Sequence, residues 1–281
     1  MEFLLRDEAP FSSEQWGQID DTVIRTARQT LIGRRFIHIY GPLGAGVDSV
    51  MTESFDNGGE ANAGFAGDEE TAAVKVSQRR HWELPMIYKD FYILWRDLEN
   101  VKQFRLPLDY SAVASAASIC AKQEDNLIFN GNKSLGYEGL LTAKGIQRIA
   151  KSDWGEDSNA FNDVVSGIEA LVGKGFTGEF TLVVSPDLYT KMQRIQPQLG
   201  ILELDRIKSL VDGKIYQTTA VGQDRAILLS SEFRNLDLAV GQDLITAYLG
   251  PEKLNHGLRV LETVLLRIKN PEAIVVFETK K

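Results

Sequence analysis

The chain has 281 residues, of which 43% are hydrophobic and 25% charged, the composition of a globular protein with one elaborate domain or two interlocked sub-domains. Its formal net charge of −8 argues against a nucleic-acid-binding protein, which normally needs a basic face to displace the counterions of phosphates. The single cysteine, Cys120, excludes an intrachain disulfide, and we expect it to be buried as a small hydrophobic residue.

The N-terminal residues and the hydropathy of the chain predict a cytoplasmic location. Residues 1–8 contain no basic segment followed by an apolar one, so no signal peptide is expected. No stretch reaches the roughly 18 apolar residues that a membrane-spanning helix needs. We therefore expect no membrane partner.

The first predicted element is a helix over residues 13–32. Ser12 supplies a hydroxyl N-cap, and Gln15 follows inside the first turn. Gly33 stands where a C-terminal cap is expected. The helix would bury one stripe of apolar residues at three- and four-residue steps: Trp16, Ile19, Val23, Ala27 and Leu31.

Residues 36–40 then predict a short strand closed by Gly41-Pro42, after which the composition changes. Between Arg35 and Lys75 there is no Lys or Arg, but there are seven acidic residues: Asp48, Glu53, Asp56, Glu60, Asp68, Glu69 and Glu70. The glycine-rich centre of this stretch, residues 58–64, is too small and flexible to pack a core. We predict an exposed, extended excursion.

The rest of the chain predicts a mixture of helices and strands. Strand-like segments run from Val74 to about Leu98, and a second long helix begins with Asp109 as N-cap and ends near residue 130. Residues 158–211 predict helices around one apolar strand. The last part is dominated by strands at 226–229, 236–240, 258–268 and 273–277. This order predicts an α+β protein.

The chain offers no set of residues for catalysis or metal binding. The loop Gly41–Gly46 lacks the lysine of a phosphate-binding loop, and no Gly-x-Ser-x-Gly nucleophile turn occurs. The histidines at positions His38, His81 and His256 are not spaced with other metal ligands. Glu124-Asp125 are adjacent acids on a helix, which we interpret as solvated or interface charges. We expect that the chain is not an enzyme and binds no metal.

Short motifs along the whole chain resemble one known family. They occur in a single order from residue 1 to about 278: Met1-Glu2-Phe3-Leu4, Ala9-Pro10, Gln15-Trp16, Ile19-Asp20, Gly33-Arg34, Gly41-Pro42, Trp95-x-x-Leu98-Glu99, Glu124-Asp125, Ile128-Phe129, Gly131, Gly139-Leu140-Leu141, Leu238-x-x-Gly241-Gln242-Asp243-Leu244, Glu262-Thr263 and Asn270-Pro271-Glu272-Ala273. In order and spacing these motifs resemble the encapsulins, the shell proteins of bacterial and archaeal nanocompartments.

The resemblance implies the fold of tailed-phage major capsid proteins, with a peripheral domain, an axial domain and an extended loop. It places the N-terminal helix and the start of the peripheral domain at 1–49, the extended loop at 50–84 and the spine helix of the peripheral domain at 85–131. It places the axial domain at 132–222 and the C-terminal sheet of the peripheral domain at 223–281. It also implies self-assembly into an icosahedral cage of sixty subunits, or a multiple of sixty, that encloses cargo enzymes.

Three sets of functional residues follow from the resemblance. The C-terminal targeting peptide of the cargo would bind on the inner wall at Ile24, Leu31, Arg34, His38, Leu236 and Leu238. The five-fold pore would be lined by Gln196, Gln198, Leu199 and Gly200. Some members bind a flavin beside a tryptophan that matches Trp95, although the shell requires no cofactor.

The cargoes of the family include ferritin-like iron-oxidising proteins and dye-decolourising peroxidases, which implies iron storage or defence against oxidative stress. Two alternatives remain at this point: a prophage major capsid protein, which would package DNA, and an α+β hydrolase using scattered carboxylates. The acidic net charge and the lack of a scaffold-like extension weigh against the capsid protein. The missing active site weighs against the hydrolase.

Overall fold

The computed structural model describes residues 2–56, 61–63, 65–66, 73–156, 158–196 and 200–279. The helices are α1 (Ser13–Thr30), α2 (Trp95–Phe104), α3 (Ser111–Asn130), α4 (Asn159–Gly173), α5 (Pro186–Met192) and α6 (Glu203–Leu210). The strands are β1 (Ile39–Tyr40), β2 (Ser49–Asp56), β3 (Lys75–Glu83), β4 (Met86–Ile93), β5 (Gln147–Ala150), β6 (Phe180–Val184), β7 (Ile215–Gln217), β8 (Ala226–Ser230), β9 (Leu236–Val240), β10 (Ile245–Glu252), β11 (Asn255–Ile268) and β12 (Ile274–Glu278). The α+β prediction is confirmed.

The first sheet is built around the long strand β11. This strand pairs antiparallel with β10, β4 and β9, and β1 joins β9 in parallel. Apolar residues of α1 and α3, among them Ile19, Val113 and Ile128, pack into one core with Leu238 and Val260 of the sheet. This part of the molecule therefore carries both long helices.

The second sheet has the strand order β5-β12-β8-β6-β7. Its three inner strands, β12, β8 and β6, are buried along most of their length because both faces are covered. Leu182 and Leu228 pack in the core that holds α4, α5 and α6, whereas Val183 and Ile227 face the core of the first sheet. Strands β8 and β12, from the segment 223–281, lie inside this sheet beside β5, β6 and β7 from the segment 132–222, and the domain bounds stay a prediction.

The extended excursion is a two-stranded antiparallel arm formed by β2 and β3, paired from Ser49 opposite Glu83 to Asp56 opposite Lys75 with a shift of register between Ser54 and Phe55. Most residues of β3 are exposed. The part of the predicted excursion at 58–64 falls mainly outside the described residues. In its described part the excursion is thus exposed and extended, as predicted.

Of two predicted element boundaries, the start of α1 is confirmed and the end of the strand-like segment at Leu98 is wrong. The capping box at the start of α1 is confirmed, since the Ser12 hydroxyl accepts from the Gln15 backbone N–H and the Gln15 side chain accepts from the Ser12 N–H. The strand-like prediction up to Leu98 is wrong at its end, because Trp95 begins helix α2. The alternating aromatic residues of β4 obscured that boundary.

Candidate functional site

A surface groove of ≈ 390 Å³ lies along the C-terminal half of α1. It brings together three of the predicted peptide-binding residues, Ile24, Leu31 and Arg34. Ile24 is 45% exposed, so its side chain is available at the surface and does not pack into the core. The remaining lining residues are Ala27, Arg28, Arg35, Ile39, Asp243 and Leu244. The groove therefore has an apolar floor with charged residues at its rim.

The end of α1 is held in place by groups from two sides. The backbone N–H groups of Ile32 and Gly33 donate to the Asp125 carboxylate at 3.0 and 2.9 Å. The Arg35 guanidinium donates to the backbone oxygens of Leu31 and Arg28, which would otherwise lack partners at the helix end. The groove wall formed by α1 is thus fixed to α3.

Gly33 has a role that the sequence did not indicate. It lies in a single 3-10 turn, Gly33–Arg35, and the helix is capped at Leu31, so the predicted glycine C-cap is wrong. A Cβ atom on Gly33 would lie 2.5 Å from Cδ1 of Ile128. Glycine is needed here because the chain passes directly against α3.

Arg34 lies at the centre of a buried network of carboxylates. Its Nε and Nη2 atoms donate to Glu124, Nη2 also donates to Glu262 at 2.8 Å, and Nη1 donates to Asp243 at 2.7 Å. The side chains of Glu124 and Glu262 are fully buried. Arg34 therefore joins α3, β11 and the residues between β9 and β10 beneath the groove.

The network holds more acidic than basic groups, and the pKa values respond to this excess. Burial, followed by the neighbouring Glu124, raises the pKa of Glu262 well above its usual value. Burial also raises the pKa of Asp125 to about 6, against the backbone N–H groups of Gly33 and Ile32. The interpretation of Glu124-Asp125 as solvated or interface charges is wrong, because both carboxylates are buried and hydrogen-bonded within the subunit.

The other predicted peptide-binding residues lie elsewhere. His38 lines a separate depression of ≈ 360 Å³, with its ring centroid 6.2 Å from that of Phe233. Leu236 and Leu238 are 0% and 1% exposed inside the first core, which argues against their assignment as peptide contacts. Strand β9 turns these alternate residues inward. It is Ile39, paired with Leu238 across β1 and β9, that reaches the groove.

The predicted pore loop is described only in part, since Gln198 and Leu199 lie outside the described residues. The Gln196 side chain is buried: it donates to Ser158 and accepts from Arg206 at 2.7 Å. Gly200 is exposed with a positive φ of 67°. Gln196 therefore supports the loop from inside the subunit, and the pore lining stays a prediction.

Trp95, the predicted flavin contact, begins α2 and is 40% exposed. The guanidinium carbon of Arg96 lies 5.5 Å from the centroid of its ring. Within the described ranges, no group of three or more His, Cys, Asp or Glu residues could hold a metal ion, and no helix is long and apolar enough to cross a membrane. Cys120 is buried, as predicted.

Comparison with known proteins decides the family. Residues 1–265 match the model of a family described as encapsulating protein for peroxidase. The chain belongs to the encapsulin family. It is 42% identical to the type 1 encapsulin shell protein EncA of Myxococcus xanthus over 99% of this chain and 96% of that protein. It is 39% identical to a diheme-cytochrome-encapsulin shell fusion protein of Kuenenia stuttgartiensis, over 98% of this chain and 75% of the fusion protein.

Solved structures place the encapsulin chain in the capsid fold. A virus-like particle from Pyrococcus furiosus matches with a TM-score of 0.76 and 22% identity, covering 94% of this chain and all of that one. The capsid of the Myoviridae phage XM1 matches with a TM-score of 0.65 and 14% identity, covering 88% and 90%. The fold is that of tailed-phage major capsid proteins, and the family is one of structural shell subunits. The encapsulin interpretation therefore holds over the phage capsid alternative.

The groove also contains residues that the sequence analysis missed. Ile39, Asp243 and Leu244 line it, and Glu262 holds Arg34 from below. Asp243 and Glu262 belong to the motifs that resemble the encapsulins, and this resemblance was the signal in the sequence that pointed to them. Their spatial relationship to α1 depends on the pairing of β9, β10 and β11, which local spacing does not reveal.

Proposed function

We propose that this encapsulin subunit assembles into a closed icosahedral cage of sixty subunits or a multiple of sixty, located in the cytoplasm. We further propose that the groove beside α1 faces the inside of the cage and binds the C-terminal targeting peptide of a cargo enzyme. The observation that carries the groove assignment is the exposure of Ile24 and Ile39 beside Leu31 on a rigid wall.

The chemistry of the groove suits a short extended peptide with a few apolar side chains. Burying one Leu or Ile side chain contributes about 1.5–3 kcal/mol, so a few anchors must carry most of the affinity. A single weak contact still retains an oligomeric cargo, because many identical grooves act together around one cage. Arg34 lines the groove and would orient the peptide, while its guanidinium remains held by Glu124.

The test is cargo loading by an Ile24→Asp variant. Ile24 is exposed, so the variant should fold and assemble, and its particles should lose most of their cargo. The matched control is Ile119→Asp on α3, because Ile119 is 47% exposed and lies outside the groove. Each variant is co-expressed with the candidate cargo enzyme, taken from a gene next to that of the shell protein. The ratio of cargo to shell is read from a gel of purified particles. Ile24→Asp particles loaded at the wild-type ratio would reject the groove assignment.

We propose that the cargo is a ferritin-like iron-storage protein or a dye-decolourising peroxidase, and that the shell itself has no turnover. The description of the family as encapsulating protein for peroxidase supports the second cargo. Purified cargo-free shells should show neither ferroxidase nor peroxidase activity. Activity that survives removal of trace metal would contradict this proposal.

Flavin binding at Trp95 stays a separate proposal. The exposed indole and the adjacent Arg96 guanidinium offer a stacking surface and a cation, and these features fit a flavin ring and its phosphate. A flavin would supply electron transfer, and the residues of this chain would hold it at the surface. The visible absorption spectrum of purified particles, with Trp95→Ala as the control, tests this.

A further inference from the structure

A cavity of ≈ 350 Å³ lies where the arm meets the body of the same subunit, away from the peptide groove. On the arm side it is lined by alternate residues of both strands: Thr52 and Ser54 of β2, and Gln78, Arg80 and Trp82 of β3. Successive side chains of a strand point to opposite faces, so these residues form the face of the arm that is turned toward the body. The volume falls within the roughly 300–1,000 Å³ of small-molecule sites.

The described lining of the cavity is predominantly basic. Four of its side chains are cationic, those of Arg80, Lys144, Arg267 and Lys269, whereas one, that of Glu138, is anionic. The cations come from three separate segments: the arm, the loop between α3 and β5, and the chain around the end of β11. Cations that converge on one cavity in a chain of net charge −8 favour an anionic ligand.

Two of the cations are held in place within the subunit. The Arg267 guanidinium donates twice to the Asp237 carboxylate, both times at 2.7 Å, and once to the Met51 backbone oxygen of the arm. The Lys269 ammonium lies 2.7 Å from the same carboxylate and donates to the Phe233 backbone oxygen. Because Asp237 fixes both side chains, little of their conformational freedom is lost when a ligand binds.

The other two cations are available to a ligand. Arg80 and Lys144 are exposed, and neither forms an ion pair within the part of the chain that the structure describes. With the two cations on Asp237 they give four positive charges against two carboxylates, those of Glu138 and Asp237. The excess of two positive charges matches a phosphate group, which carries about −1.5 to −2 at neutral pH. A single carboxylate would neutralise only half of this excess.

The arm adds a polar group that favours an oxygen-rich ligand. The Thr52 hydroxyl oxygen is buried in the cavity wall and has no hydrogen-bond partner among the described residues. Thr52 is paired with Arg80 across the two arm strands, so a hydroxyl and a guanidinium lie side by side on this face. Phosphate oxygens accept hydrogen bonds from both kinds of donor.

We propose that this cavity binds a small phosphate-bearing molecule, with Arg80 and Lys144 as its principal phosphate contacts. Two sources carry this group: inorganic phosphates, and nucleotides whose base would pack against the aromatic part of the wall. Trp82 is half-buried, and its ring centroid lies 6.4 Å from that of Tyr137 in the same lining. The site lies within one subunit, so it depends neither on the peptide groove nor on the cage.

Equilibrium dialysis of the purified wild-type protein tests the proposal, with inorganic pyrophosphate, ADP and adenosine as probes in low-salt buffer. Pyrophosphate or ADP should bind saturably, at a single site in each subunit. Lys144→Gln should weaken this binding about tenfold or more, because it removes a charged donor, whereas Lys144→Arg should retain it. Lys122→Gln on α3 is the matched control, since Lys122 is also exposed but lies outside the cavity, and it should leave the binding unchanged.

The three probes identify the source of the phosphate. Equal affinities for pyrophosphate and ADP support an inorganic phosphate, and tighter binding of ADP, without binding of adenosine, supports a nucleotide. Adenosine binding as tight as that of ADP would overturn the proposal. Equal affinities in Lys144→Gln and the wild type would overturn it too, and so would the absence of saturable phosphate binding by protein that is folded by circular dichroism.

A second variant repeats the test from the arm side. Arg80→Gln should weaken the same binding about tenfold or more. Its control is Arg79→Gln, because Arg79 is the neighbouring residue of β3, lies outside the cavity lining and is paired with Glu53. Light scattering checks that all variants are compared in the same assembly state. Equal losses of binding in the two variants would show that the charge of the arm as a whole attracts the ligand, and would overturn the assignment of the cavity.

Discussion

Arg34 and Glu124 are joined by two parallel hydrogen bonds, Nε to Oε1 and Nη2 to Oε2, each 2.8 Å long. This two-point contact links the turn after α1 to the middle of the buried helix α3. The same guanidinium reaches Glu262 and Asp243, so one side chain fixes three separate parts of the fold. The groove beside α1 therefore has a rigid floor before any peptide arrives.

Removing the cation should destabilise the subunit strongly. Arg34→Met leaves the buried Glu124 carboxylate without its cation and Glu262 without a hydrogen-bond donor, and breaking a buried ion pair costs about 3–5 kcal/mol. The melting temperature of purified particles should fall well below that of the wild type. The control is Arg35→Met, because Arg35 is exposed and its guanidinium donates to backbone oxygens at the helix end. Equal melting temperatures for the two variants would contradict the central position of Arg34.

The raised pKa of Glu262 predicts a dependence of stability on pH. A carboxyl group whose pKa is higher in the folded state stabilises the fold when protonated, so this contribution is lost as the pH rises from the usual 4.5 through the raised value. Glu262→Gln should mimic the protonated form, so the melting temperature of this variant should fall less than that of the wild type as the pH rises. Exposed Glu14→Gln should leave the wild-type profile unchanged. A Glu262→Gln profile as steep as the wild type would show that this carboxyl does not hold the proton.

Leu238→Ala tests whether this residue is core or peptide contact. The side chain is buried in the first core, so its removal should cost about 2–5 kcal/mol by loss of burial and creation of a cavity. Particles that still form should carry cargo at the wild-type ratio. A loss of cargo without a loss of thermal stability would mean that Leu238 contacts the peptide after all.

Gly131 should tolerate no side chain. It ends α3 with a φ of 68°, and a Cβ atom there would lie 2.4 Å from the Tyr137 backbone oxygen. Gly131→Ala should therefore cost more than the roughly 1 kcal/mol of backbone strain alone. Gly136→Ala is the matched control, since Gly136 also has a positive φ but has open space around it. Similar free energies of unfolding for both variants would show that the clash is relieved.

Local patterns predicted much of the secondary structure. Three features could be predicted because each depends on residues that are neighbours in the chain: the capping box of Ser12 and Gln15, the apolar stripe of α1 and the strand at 236–240. The prediction of Asp109 as N-cap of α3 is wrong, because Tyr110 holds that position, although the Asp109 carboxylate accepts from the Ser111 backbone N–H.

The candidate site was harder to predict because it is assembled from distant segments. Strand period alone gives Leu236 and Leu238 a common face, but it does not say whether that face is the core or the groove. The sequence predicts Glu124 and Asp125 as surface charges because their partners, Arg34 and the turn at 32–33, lie about 90 residues earlier in the chain. Long-range pairing of this kind becomes visible only when the chain has folded.

The position of β12 sets an order of events during synthesis. This strand lies between β5 and β8, pairing with Gln147–Ala150 on one side and with Ala226–Leu229 on the other. As the chain emerges from the ribosome, the second sheet lacks the strand between β5 and β8 until residues 274–278 appear. The second sheet of a nascent subunit is therefore completed only near the end of translation, after all its other strands have been made.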